Sequence, residues 1–163
     1  MNEAVSLDVG GYILSEQTLV VLLLYQVPEG ILLLYTGLGL VAANSKVSRR
    51  VLAGVIYGVS MPIVRSLVGF GIHTGVLMLI QLLLARFVGG VPFHRAFLAT
   101  TVATTLLFFG EFTILVPLMS VVHISIREAL GNTWLSVVAG WIAALPLTVV
   151  ATFVWRRKLR LIE

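Results

Sequence analysis

Residues Thr18 to Ala43 form one long apolar run, and near its middle stand a proline and a carboxylate, in Tyr25-Gln26-Val27-Pro28-Glu29-Gly30 with leucines on both sides. About 20 residues at ~1.5 Å rise cross a hydrocarbon core of ~30 Å, so the run is a membrane span by length. Pro28 removes a backbone donor and crowds the carbonyl four residues back. The helix should therefore kink or open there, and a carbonyl around Leu24 needs another partner. Glu29 would cost several kcal/mol if it faced hydrocarbon ionised, so it must be neutral, paired or turned into a bundle interior. The other helices are then the walls of whatever Glu29 faces.

The rest of the chain fits a membrane. Of its 163 residues 59% are hydrophobic and 11% charged, and the mean hydropathy is +1.07, far more apolar than a soluble domain. The net charge of +4 comes from short basic clusters between apolar runs, which is a membrane-topology pattern and excludes nucleic acid as the expected partner. With no cysteine, disulfides, thiolate metal sites and thiol redox chemistry are excluded. Glu3, Asp8 and Glu16 stand where a secretory signal would be basic.

The expected fold is all-α, a polytopic membrane helical bundle of about five transmembrane helices in the lipid bilayer of a bacterial plasma membrane. Residues 1–16 form a short external N-terminus, with Gly10-Gly11 in it and Tyr12 to Leu14 at the interface. A single transmembrane domain follows over 17–155, then a basic cytoplasmic tail over 156–163. The first span ends at Asn44, before a basic turn holding Lys46, Arg49 and Arg50. The second runs from about Val51 to Phe70, with Pro62 and Arg65 inside. The third runs from Gly71 or His73 to Val88, an antiparallel neighbour across a very short connection. Pro92 opens the fourth, about Ala96 to Leu118, which contains Glu111. Ser125-Ile126-Arg127-Glu128 matches a capping box and Gly131-Asn132 a helix stop, so Ile124 to Leu130 reads as a short interfacial helix. The fifth span, about Trp134 to Trp155, contains Pro146 and has a tryptophan anchor at each end.

Under this layout nine of the eleven lysines and arginines fall on one side, which the positive-inside rule makes the cytoplasm. The N-terminus is then outside and the C-terminus inside.

Depth brings the unusual residues together. Glu29 lies ~17 Å into its span, near the midplane, and Arg65 and Glu111 lie at ~21 and ~22 Å in spans running outward. The expected ligand-binding or polar cluster is Glu29, Arg65 and Glu111, with Gln26 as a further hydrogen-bonding group and His73 nearer the outer mouth. Arginine suits the role because its planar fork holds a carboxylate while staying charged. With one more acid than base, at least one acid is expected to be protonated or to face a cationic or donor ligand. Against this stands a plainer reading, in which an Arg65–carboxylate pair is an internal brace fixing helix register. Pro28, Pro62 and Pro146 are the expected kinks.

His94 and His123 fall on opposite sides, so no metal pair and no cofactor is expected. Gly54-xxx-Gly58 and Ser136-xxx-Gly140-xxx-Ala144 are small faces for close helix approach, within the chain first, while permitting a homodimer. Thr100, Thr101, Thr104 and Thr105 read as structural, bonding across helices or to their own carbonyls. No nucleophile elbow, zinc helix or phosphate loop is present, and an enzyme is not expected.

The order of Pro28-Glu29, Tyr35-Thr36-Gly37-Leu38, the basic turn, Gly54-Val55-Ile56-Tyr57-Gly58 with Arg65, Gly71-Ile72-His73-Thr74 and Glu111-Phe112 resembles a membrane sensor. Over about residues 17 to 118 it is similar to the N-terminal transmembrane sensor domain of accessory-gene-regulator-type sensor histidine kinases of Gram-positive bacteria. The resemblance implies a receptor-like domain for a small-molecule or peptide ligand. It also implies a freestanding sensor, a fragment, or a relative working through a separate kinase or other membrane subunit, since the kinase module is absent and no phosphoacceptor or ATP site carries over. Two other readings share the same cluster: a small transporter or substrate-binding transporter subunit, and a structural subunit of a membrane complex.

Overall fold

The computed structural model describes residues 16–41, 45–68, 72–125, 128–129 and 132–157. The expectations placed on the N-terminus before Glu16, on Asn44, Gly71, Arg127, Gly131 and the tail beyond Arg157 lie outside the described residues.

Among the described residues the regular structure is entirely helical: α1 (Glu16–Val21), α2 (Val27–Leu40), α3 (Val47–Leu67), α4 (Ile72–Phe87), α5 (Phe93–Gly110), α6 (Val116–Val121), α7 (Thr133–Ala143) and α8 (Leu145–Arg157). A π-helical turn, Leu22–Gln26, joins α1 to α2, and a second, Glu111–Leu115, joins α5 to α6. Among the described residues three helices are long and apolar enough to cross a membrane: Thr18–Leu40, Val47–Leu67 and Phe93–Val121. The pair α7 and α8, bent by 51°, makes a fourth if it is one span.

That count falls below the five expected for two reasons. The third expected span is α4, at 16 residues short of a crossing length, and the fifth is broken. The break falls at Ala144, two residues before Pro146, whose ring cannot fit behind a straight helix. Pro62, by contrast, sits inside α3 without ending it.

α2 is the enclosed helix. It packs on α3, α5 and α8, and its residues from Leu33 to Val41 supply much of a core completed by Ala53, Tyr57, Met61, Leu77, Ala99 and Leu147. Glycines permit this enclosure. A methyl group at Gly30 would strike the Gly54 carbonyl, and one at Gly58 would strike the Gln26 carbonyl and Val27, so α2 and α3 meet backbone to backbone. The Gly54-xxx-Gly58 face is thus spent within the chain. Outward-facing Leu23, Phe87, Phe112 and Trp155 are more than 60% exposed, an apolar exterior that a soluble fold would bury.

The contacts also sort the two ends of the bundle. Gly39 lies against Val154 and Arg50, Gly90 beside Arg49, and Arg86 donates to the Val91 carbonyl (3.1 Å). The basic starts and ends of α3, α4 and α8 therefore share one end.

After α6 the capping box forms: Glu128 Oε2 accepts from the Ser125 N–H and hydroxyl (2.7 Å each), and the Glu128 N–H donates to Ser125 Oγ (3.2 Å). At the expected stop Asn132 is non-helical, and it also begins the next helix. Its Oδ1 accepts from the Trp134 and Leu135 N–H groups as the N-cap of α7. An asparagine after glycine reads as a stop or a start, and the free amides of α7 decide it.

Candidate functional site: a polar cluster at the π-helical turns

Both π-helical turns run into Val-Pro. In the first, the Val27 N–H bonds to the Leu22 carbonyl five residues back, and in the second the Val116 N–H bonds to Glu111 in the same way. Widening the turn relieves the clash of the proline ring with the carbonyl four residues before it. For Pro28 that carbonyl belongs to Leu24, and the indole N–H of Trp141 donates to it at 2.9 Å. The partner required by the sequence is supplied from α7. Nearby, Gly140 leaves room for the Tyr25 ring, which a methyl group there would strike.

The widened turn sets Gln26 and Glu29 into the interior, 5% and 3% exposed. The Tyr25 hydroxyl hydrogen-bonds to the Glu29 carboxyl group. Glu29 Oε2 and Gln26 Oε1 have no hydrogen-bond partner. Arg65, exposed in the last turn of α3, acts electrostatically on Glu29, on half-buried Glu111 and on Tyr25 and Tyr57. Glu29, Arg65 and Glu111 are therefore within electrostatic reach of one another, and Gln26 stands three residues before Glu29. His73 stands half-buried at the start of α4.

Sequence reasoning missed three members. Tyr25 was legible only as part of the Pro28 segment. Trp141 had a usable signal, since an indole N–H in mid-span must find an acceptor. Gln81, in an otherwise apolar α4, is buried and accepts from Thr104 Oγ1 at 3.2 Å, which makes Thr104 a cross-helix bond. The interior around Gln81, lined also by Leu33, Leu38, Ala85, Ala99 and Thr100, is too tight to admit water. This second polar group is packing. Among the described residues no group of three or more histidine or acidic side chains is placed to hold a metal ion.

No protein-family model, curated protein or solved structure matches the chain.

Proposed function

We propose that the chain is a five-crossing membrane protein, N-terminus outside and C-terminus inside, acting as a receptor-like sensor. In this reading α4 crosses despite its length, by local thinning of the bilayer and by its flanking turns. A small molecule or peptide meets the accessible Arg65 and Glu111, and the buried Glu29 reads the change in their pairing. The observation that carries the proposal is the run of contacts from Glu29 through Tyr25 to the α7 face. Tyr25 packs on Gly140, Trp141 holds the Leu24 carbonyl, and the 51° bend at Ala144 lies three residues further on. Two states with different Arg65 pairing then differ in where α7 and the basic end of α8 lie. The resemblance to accessory-gene-regulator-type sensor domains supports the same role, with output through a separate kinase or other membrane subunit.

Native mass spectrometry of the protein released from mild detergent tests the reading. A small molecule or peptide retained by the wild type and lost from Arg65→Leu is expected, and equal retention by both would overturn it. One observation favours a second reading, a small transporter: widened turns and a broken helix around one polar site are how transporters open paths at mid-membrane. Substrate flux in liposomes separates the two.

A further inference from the structure

Two acceptors stand unsatisfied three residues apart on one stretch of helix. Glu29 Oε2 and Gln26 Oε1 are both buried, and neither has a hydrogen-bond partner. Positions i and i+3 share a helix face, so the two side chains are neighbours. Two lone-pair groups cannot bond to each other, and a buried unpartnered acceptor costs ~1–3 kcal/mol. Each oxygen calls for a donor, and a single hydrogen held between them would serve both. α3 meets α2 backbone to backbone beside this pair: Gly58 cannot take even a methyl group against the Gln26 carbonyl and Val27, nor Gly30 against the Gly54 carbonyl.

We infer that Gln26 and Glu29 form a proton-binding site, in which Glu29 is a neutral carboxylic acid whose hydroxyl donates to the Gln26 side-chain carbonyl. One proton then satisfies both acceptors. The other oxygen of Glu29 stays free to accept from the Tyr25 hydroxyl, so every member of the group is paired. The titratable and charged groups acting on Glu29 are Tyr25 from its own helix, Arg65 from α3, and Glu111 from the second π-helical turn. Tyr57 of α3 also interacts with it. Arg65 is the one cation of this set, and it is exposed and not bonded to Oε2. Loss of the proton would leave a buried carboxylate answered only by that arginine. The inference deepens the receptor reading by naming the ligand that Glu29 itself holds, and it rests on that reading only for what the proton signals.

Infrared difference spectroscopy of the full chain in lipid nanodiscs, with no added ligand, tests it. At pH 7 the wild type is expected to show a carboxylic-acid C=O band that is absent from Glu29→Gln and shifted in Gln26→Leu, where the acid loses its acceptor. Glu29→Gln, whose amide N–H replaces the acid O–H, should melt within a few degrees of the wild type. Identical spectra for wild type and Glu29→Gln would show an ionised Glu29 and overturn the site. A band lost in Glu29→Gln but unmoved in Gln26→Leu would overturn the pairing with Gln26. A melting temperature of Glu29→Gln that falls as far as that of Glu29→Ala would overturn it as well. The receptor reading fails separately, on ligand retention by Arg65→Leu.

Discussion

The chain widens its helices twice by one device and uses the two copies differently. Leu22-Leu23-Leu24-Tyr25-Gln26 and Glu111-Phe112-Thr113-Ile114-Leu115 both lead into Val-Pro, and both become a π-helical turn with a bond five residues back. The first has one face against the bundle: Gln26 is buried, Tyr25 sits on Gly140, and Trp141 caps the carbonyl that Pro28 leaves free. The second has no buried residue, and the Thr113 hydroxyl bonds back to the Phe109 carbonyl of its own helix. The same Val-Pro thus fixes local geometry in both places, while tertiary partners decide which copy becomes a site. A proline-widened turn is only an opportunity. Glycines on α3 and an indole on α7 convert the first one.

If that contrast is right, crowding the first turn does the most damage. Gly58→Leu forces a side chain into the Gln26 backbone and should destabilise by about 3 kcal/mol or prevent folding. Phe112→Ala, on the outward face of the second turn, should change stability by less than about 0.5 kcal/mol. Thermal melts in bicelles compare them, and equal losses would erase the distinction between the two turns.

A smaller effect isolates the carbonyl. Trp141→Phe keeps most of the ring and removes only the N–H, so the Leu24 carbonyl loses its partner at a cost of about 1–2 kcal/mol. Pro28→Ala restores an N–H at position 28 that can bond to that carbonyl. The two changes should therefore be non-additive, the cost of Trp141→Phe falling by half or more in the Pro28→Ala background. Additive losses in a double-mutant cycle would mean that the indole contributes packing alone. Pro117→Ala, the equivalent change at the second turn, should leave the cost of Trp141→Phe unaltered.

These residues also mark how far the sequence could be read. The apolar run around Pro28-Glu29 and the need for a partner at the Leu24 carbonyl follow from rise per residue and the chemistry of proline, both local rules. Which group answers Leu24 was not legible, because Trp141 lies 117 residues away and reaches it only once α7 has packed on α1 and the first turn. Gln81 stayed hidden for a similar reason: one amide among leucines has no periodicity, and its partner Thr104 is chosen by how α4 meets α5. Hydropathy marked α4 in the sequence as firmly as the longer spans, and only the folded helix shows it to be 16 residues long. The capping role of Asn132 was not read because it depends on the next helix, not on the residue before it.

The smallest expected effect lies beyond the second turn, where Ser125 and Glu128 hold each other on the exposed segment after α6. Hydrogen bonds from the Ser125 hydroxyl and N–H hold the Glu128 carboxyl below the usual carboxylate range. A carboxylate depressed on folding stabilises the fold fully above its unfolded value, roughly 4.3, and loses that contribution as pH falls through the lower folded value. Ser125→Ala removes the hydroxyl bond, so it should lower the melting temperature slightly at neutral pH. The gap between wild type and variant should shrink as pH drops below about 4. The exposed box contrasts here with the first π-helical turn, whose Trp141–Leu24 bond joins two neutral groups, so the deficit of Trp141→Phe should be unchanged over the same range. A Ser125→Ala deficit that widened toward acid would mean that Glu128 is stabilised in its protonated form. The box would then be an ordinary hydroxyl contact with no charge in it.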